Sequence, residues 1–358
     1  MKILITGPKY YNYNEMISKA FMDLGYSVEI LSYPDVEVNI FQYYQLFFSN
    51  IFVSKLNRSL TFDELRFKKS EIIKYNAILI EQINKYKPDL ILTIMGNREI
   101  IFPETLEHIK KKTESMLIIW CYDSALKFIN VLTYGKYSDL FYTFEPHDIQ
   151  ELKKYNIESK FLPMAYDPDT YHKLERKAEE VDISFVGYIY PNRREFFDNV
   201  IKNNPHLKIQ LWGPWVHYNI YLQYEYKIRR KELGKRINNC QVIPRKVNEI
   251  YNGSKICLNC HHPQSIQGVN PRTFEIPGAG GFELTDYKEV LGDLFEIGTE
   301  IECYRNEKEL FEKIEYYIEN EDERIKISKR GHKRVLKDHT FKNRAKKIED
   351  DIQYLKKQ

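Results

Sequence analysis

The stretch Gly268-Val-Asn-Pro-Arg-Thr-Phe-Glu-Ile-Pro-Gly-Ala-Gly-Gly-Phe-Glu-Leu-Thr-Asp286 concentrates more chemistry than any other part of the sequence. It holds a polar loop, one arginine, a carboxylate where a helix should begin, a cluster of glycines and then a strand. Gly278, Gly280 and Gly281 would let backbone approach a ligand closely or take up positive φ. N–H groups at a helix start bind phosphate. Glu275 could accept two hydrogen bonds from a vicinal diol, and Arg272 could fork onto a diphosphate. Plainer alternatives stand beside these: Arg272 as the structural partner of a buried glutamate, and Asn270 as a residue that shapes the turn.

Such a site needs elements to hold it. Short runs rich in Ile, Leu and Phe recur along the chain, each followed by a helix-like stretch: Ile3–Thr6, Ser27–Leu31, Leu90–Ile94, Met116–Trp120, Leu140–Phe144 and Lys160–Leu162. Apolar runs that do not alternate with polar residues suit strands buried on both faces of a parallel sheet. The expected class is therefore α/β, doubly wound. Strand signals lapse between Val38 and Tyr86, which predicts a helical insertion at about 38–86. Near Pro163 the texture turns to a turn-rich connector, and a second series begins: Ile183–Gly187, Ile209–Trp212, Cys240–Ile243, Ile256–Asn259 and Gly281–Thr285. Amphipathic helices are expected at Glu307–Ile318, Asp322–Asp338 and Thr340–Lys357.

This gives two Rossmann-like parallel-sheet domains facing a cleft, 1–166 and 167–339, with 340–358 as a helix packing back toward the first. A length of 358 residues suits two domains of ordinary size. Ligands of open α/β sheets bind beyond the carboxyl ends of the strands.

Composition removes several classes. Hydrophobic residues are 43% and charged residues 29%, the profile of a folded globular chain. A formal charge of +3, from 54 basic and 51 acidic residues, gives no global field for nucleic acid. No run of about 18 apolar residues predicts a transmembrane segment; the oily patch Ile40–Val53 is broken by Gln42, Gln45, Ser49 and Asn50. The start lacks the features of a signal peptide, and the five cysteines are an odd, sparse set. The expectation is a cytoplasmic protein with reduced thiols, and heavy use of Lys, Ile, Asn and Tyr suggests a bacterial source. Cys257-Leu-Asn-Cys260-His-His has zinc-ligand types, but a lone C-x2-C without a second pair predicts core packing and no metal. Asp167-Pro-Asp169 reads as a turn.

The run Asn270-Pro-Arg-Thr-Phe-Glu275, then Gly280-Gly281, Leu284-Thr-Asp-Tyr287, Leu294-Phe-Glu-Ile-Gly298 and Cys303-Tyr304, resembles the C-terminal signature of CgeB-like glycosyltransferases. These are GT-B enzymes related to group 1 glycosyltransferases. Phe185-Val-Gly-Tyr, Leu211-Trp-Gly, Ile250-Tyr-Asn-Gly-Ser-Lys-Ile256, Leu258-Asn259, Gly331, His339-Thr-Phe and Arg344 extend the likeness through the second half. The first half matches mainly through Trp120, Asp123 and Leu162-Pro163 with Asp167.

The resemblance implies transfer of a sugar from a nucleoside-diphosphate donor, uridine being the default base, to a glycan, polysaccharide or protein acceptor. No tightly bound cofactor and no essential metal are implied. In the relatives two glutamates eight apart hold the donor: Glu275 matches the second, and Gln267 stands where the first would be. The pair Glu275 and Glu283 has the same spacing, but Glu283 falls on the next strand, where the family usually has an apolar residue. Gly268, Asn270 and Thr273 would line the donor loop. Gly7 and Gly187 would bring strand-to-helix turns near the donor, and Arg193 or Arg194 would face the diphosphate or stay solvated at a helix start.

Asp123, after a strand of the first domain, is a base candidate for the acceptor, or the cap of the next helix. His147 is a second candidate, or simply begins a helix. Trp212 and Trp215 could stack on a ligand or plug the core, and Tyr218–Tyr226 could be an acceptor platform or a packed helix. Two other functions fit the same fold: a nucleotide-sugar epimerase, and a non-catalytic nucleotide-sugar-binding or surface-morphogenesis protein, for which Gln267 is the motivating residue.

Overall fold

The computed structural model describes residues 1–9, 12–33, 69–96, 100–127, 131–175, 181–188, 191–213, 224–240, 242–262 and 265–357. Of the expected insertion the helix Lys69–Tyr86 is described. The patch Ile40–Val53, Trp215 and most of Tyr218–Tyr226 lie outside the described residues. Contacts divide the chain into two units, Met1–Leu162 and Pro163–Gln358.

The first unit holds six parallel strands: β1 Lys2–Gly7, β2 Ser27–Ser32, β3 Leu90–Met95, β4 Met116–Cys121, β5 Leu140–Thr143 and β6 Ser159–Phe161. Their order is β2-β1-β3-β4-β5-β6. Burial follows position. Leu-Ile-Leu-Thr-Ile-Met of β3 is buried throughout, whereas edge strands β2 and β6 are largely half-buried, as helices on both faces of a parallel sheet require. Helices Pro103–Lys112 and Pro146–Lys153 both begin on proline, whose missing N–H costs nothing at the first turn.

The second unit repeats the plan: β7 Val181–Val186, β8 Ile209–Gly213, β9 Ile237–Asn239, β10 Ser254–Asn259, β11 Glu283–Asp286 and β12 Glu302–Tyr304. The order is β12-β11-β10-β7-β8-β9, all parallel. Two expectations are corrected here. The strand expected at Cys240–Ile243 lies at Ile237–Asn239, because this edge strand pairs only with β8 and is too exposed to need an apolar run. Strand β12 escaped notice because it is three residues long and opens on a glutamate. Glu302 is buried there because Lys313 and the Tyr317 hydroxyl meet its carboxylate at 3.0 and 2.6 Å.

Of the two roles expected for the glycine cluster, positive φ is the one observed. Gly278, Gly280 and Gly281 lie where helix Arg272–Gly278 ends. Gly280 has φ +78°, and Gly281 N–H returns to the Ile276 carbonyl at 2.9 Å, a left-handed helix stop. A Cβ at Gly278 would stand 2.5 Å from the Tyr166 ring. These glycines terminate the helix and admit an aromatic ring, so they are accounted for without a ligand.

That helix is supported from behind. Phe274 is fully buried between Phe295 and His339, at 6.1 and 5.1 Å between ring centres, and the Arg344 guanidinium lies 5.4 Å over its ring. Arg344 belongs to the tail helix Phe341–Leu355, capped by Thr340 with Asn343, and donates to the carbonyls of Pro163 and Met164. Burial and the neighbouring Arg344 hold the His339 imidazole down at about 4. The Asp167 carboxylate accepts from the N–H and hydroxyl of Thr170, so Asp167-Pro-Asp169 is a turn.

Candidate functional site

In the second sheet the chain leaves β7 for β8 and β9, then returns to the other side of β7 as β10. The carboxyl ends of β7 and β10 therefore flank a topological switch point, where open α/β sheets bind ligands. One loop carries Gly187. The other runs from Cys260 to Pro271 and delivers helix Arg272–Gly278.

At the end of β10, Asn259 is wholly buried and joins both sides of this crevice. Its amide nitrogen donates to Glu283 Oε1 at 2.8 Å, to Asn270 Oδ1 at 3.2 Å and to Thr273 Oγ1 at 3.3 Å. Its oxygen accepts from Asn270 Nδ2 at 3.0 Å and from Arg272 Nε at 3.1 Å. Arg272 also lies 5.7 Å over the Phe185 ring. Nη1 sits 3.3 Å from where a Cβ on Gly187 would be, with Phe185 Cζ at 2.9 Å. Gly187 is thus a glycine because Arg272 and Phe185 fill its side-chain space.

Two carboxyls accompany the arginine. Glu283 is 1% exposed on β11, and burial pushes it up to about 8 against the pull of Asn259, Arg272 and Thr273. Its Oε2 has no hydrogen-bond partner among the described residues. Glu275 keeps part of its surface but is enclosed enough that desolvation pushes it up to about 7, opposed by Arg272 and by the Tyr171 hydroxyl. Such displaced acids beside a half-buried cation are what binding and catalytic sites are built from.

Below them, Asp286 Oδ1 accepts from the backbone N–H of His261 at 2.8 Å and lies 2.7 Å from its Nδ1. His261 Nε2 stands 3.4 Å from Thr273 Oγ1. The sequence of groups is that of a nucleophile, base and acid, but Thr273 is 0% exposed and no substrate reaches its hydroxyl. The chain of bonds fixes the first turn of the helix instead. Backbone donors at this turn are partly spent too: Thr273 donates to Asn270 O, and Phe274 and Glu275 donate to Pro271 O. Side chains, above all Arg272, carry the polar reach of the crevice.

The remaining expected residues scatter. Gln267 is half-buried and Gly268 buried on the β10 loop. Arg193 is 4% exposed; it donates to the carbonyls of Tyr188 and Cys260, both at 2.8 Å, and lies over Phe185. It ties the two loops together. Arg194 pairs with Glu225 at 2.8 Å, which also holds Arg230.

Gly7, Asp123 and His147 belong to the first unit. A Cβ at Gly7 would meet Asn14 Oδ1 at 2.7 Å and Ile94 O at 2.9 Å, so tight packing accounts for it. Asp123 is half-buried after β4. The helical turn that follows takes its cap from Asp148, which accepts from Ala125 N at 2.6 Å and Ser124 Oγ at 3.1 Å. His147, half-buried, lies in the first turn of Pro146–Lys153.

In the sequence Asn259, Phe185 and Asp286 stand only as carriers of the resemblance and His261 only as a zinc-ligand type, and Tyr171 carries no signal; none of them is expected in the site. A carboxamide closing an otherwise apolar strand was the signal for the first, and an acid on a buried strand was the signal for Glu283.

A cavity of about 1130 Å³ also opens in the second unit, mostly toward the other end of the sheet, lined by the strand starts Val181 and Ser254, by Phe282 just before β11, and by Trp212, Lys173, Lys255 and His332. Size alone does not make it the site: none of the Asn259 network lines it, and it lies mostly toward the amino ends of the strands. Cys257 is buried and sends Sγ to the Tyr251 carbonyl at 3.5 Å. Among the described residues no three His, Cys, Asp or Glu side chains come together as metal ligands. No described helix is long and apolar enough to cross a membrane.

Two six-stranded parallel sheets in this order, with flanking helices, constitute the GT-B fold. Sucrose-phosphate synthase from Thermosynechococcus elongatus superposes with a TM-score of 0.65 at 11% identity, covering 99% of each chain. HepE of Anabaena in complex with UDP-glucose superposes with a TM-score of 0.65 at 11% identity, covering 99% of this chain and 100% of HepE. A family model described as glycosyl transferase-like matches residues 193–350, which include the whole Asn259 network. The spore protein CgeB of Bacillus subtilis (strain 168) is 22% identical over 289 residues, 75% of this chain and 84% of CgeB. The resemblance to CgeB-like glycosyltransferases is thus borne out.

Proposed function

We propose that this protein transfers a sugar from a nucleoside-diphosphate donor to an acceptor hydroxyl, with the donor held at the β7–β10 crevice of the second unit. One observation carries the reading: Arg272 and Glu275 project from one helical turn at the switch point, the arginine held by Asn259 and the acid displaced to about 7. Arg272 would meet the diphosphate and stabilise charge on the leaving nucleotide, and Glu275 would accept from the ribose diol. Gln267 and Gly268 would line the donor loop, with Gln267 able to hydrogen-bond the sugar where relatives carry glutamate.

UDP is the proposed leaving group, supported by the likeness to HepE, whose structure holds UDP-glucose. On the first unit, Asp123 with His147 as the second candidate would serve the acceptor, a glycan or protein. Phosphate charge met by arginine leaves no necessary place for a divalent ion, so turnover should survive EDTA. The test is release of UDP from a panel of UDP-sugars, with and without glycan acceptors. Acceptor-dependent UDP release supports transfer. Sugar isomerisation without acceptor, or tight UDP binding with no turnover, contradicts it.

A second reading has its own observation. Gln267 cannot ionise, and a donor site lacking that carboxylate fits a nucleotide-sugar-binding protein without turnover. The same assay separates the two.

A further inference from the structure

Among the described residues Arg272 is hydrogen-bonded at one nitrogen of three. Its Nε donates to Asn259 Oδ1, while its terminal nitrogens, which carry four of the five N–H donors of a guanidinium, make no hydrogen bond among the described residues. Nη1 stands over Gly187, 3.3 Å from the place a Cβ would take. The direction in which this arginine points is thus set by the group that holds its Nε.

That group cannot turn over. Rotating the Asn259 amide would set its NH₂ against the N–H of Arg272 and the NH₂ of Asn270. It would also give up the 2.8 Å hydrogen bond that its NH₂ makes to Glu283 Oε1. Donors would face donors at Arg272 and Asn270. Thr273, which meets His261, itself held by Asp286, closes the ring of partners. An aspartate here would also accept from Arg272, but its charge would cancel the charge a diphosphate needs. A neutral carboxamide holds the arginine and leaves it cationic.

We propose that Asn259 is a positioning residue for the donor diphosphate: fully buried, it touches no ligand and acts by aiming Arg272 at the turn after β7. The proposal rests on the reading that Arg272 meets phosphate.

UDP and uridine binding measured by calorimetry on wild type, Asn259→Ala, Arg272→Ala and the double variant test it. Asn259→Ala should weaken UDP by roughly 10- to 100-fold, most of the loss seen in Arg272→Ala. Uridine, which has no phosphate, should bind as before. The double variant should match Arg272→Ala within about 2-fold, because the two act as one unit. Asn259→Asp should keep uridine binding and still weaken UDP.

Unchanged UDP affinity in Asn259→Ala, with Arg272→Ala weakened, overturns this proposal alone. So does a parallel loss of uridine binding, which marks a merely structural role. Unchanged UDP affinity in Arg272→Ala overturns the donor-site reading and this proposal with it. If Asn259→Ala does not fold, Asn259→Ser, whose hydroxyl can still donate to Glu283, takes its place with the same criteria.

Discussion

At the carboxyl edge of the first sheet, one buried carboxylate is met from several sides: Asp148 accepts from Ala125, Ser124 and Thr143. At the same edge of the second sheet, Glu283 is met at Oε1 while, among the described residues, neither its Oε2 nor the terminal nitrogens of Arg272 have a hydrogen-bond partner. Both carboxyls are raised by burial. The two edges are built on similar topologies, so the difference is local chemistry. A buried acid with a complete set of donors caps a loop. A buried acid left half-satisfied next to a cation is what the proposed donor site would complete, because unsatisfied buried polar groups are costly to keep.

The sharpest way to break this contrast is to delete its cation. Arg272→Ala should lower kcat/KM for UDP-sugar by about 10²- to 10³-fold, whereas Asp148→Ala should leave donor KM within about 2-fold and lower only the thermal midpoint. Equal losses from the two would erase the distinction between the edges.

Next comes the acid at about 7. A protonated Glu275 accepts poorly from a diol, so affinity for a UDP-sugar should rise as pH goes from about 6 to about 8 and stay flat in Glu275→Gln. Calorimetry across that window decides it.

Glu283 gives a smaller effect, read in stability. Its fold-state value is raised from 4.5 to about 8, so the folded chain holds the proton more tightly than the unfolded chain does. Stability from this group therefore falls as pH rises across that window, by up to a few kcal/mol at about 1.4 kcal/mol per unit. Glu283→Gln should remove that slope. The comparison with wild type cancels the opposing trend from His339, which favours the fold above its ordinary range. Denaturant midpoints from pH 5 to 8.5 test it.

Smallest is the contrast between adjacent arginines. Arg193→Ala leaves the buried Cys260 carbonyl and the part-buried Tyr188 carbonyl without this donor and should cost about 2–4 kcal/mol. Arg194→Ala loses a partly exposed ion pair and should cost less than about 1 kcal/mol. Equal costs would show that Arg193 does not tie the loops.

The apolar runs revealed ten of the twelve strands among the described residues near their observed positions, because double-sided burial in a parallel sheet leaves an unmistakable pattern. Strands β9 and β12 were not legible, since an exposed edge needs no apolar run and a buried glutamate looks polar until Lys313 and Tyr317 are seen around it. Within the site, Arg272 and Glu275 were legible from residue type and spacing. Asn259 was not, because its meaning is a set of partners drawn from β10, β11 and the helix at once. The glycines left two roles open for a related reason: a glycine needed for a helix stop and one needed near a ligand look alike until the neighbouring ring is placed.

The central claim is that the β7–β10 crevice binds a nucleoside diphosphate through Arg272 and Glu275. Calorimetric titration of UDP and UDP-sugars into wild type, Arg272→Ala and Glu275→Ala tests it most directly. Saturable binding by wild type that is sharply weakened in both folded variants is the predicted result; no binding by folded wild type, or equal binding by all three, would contradict it.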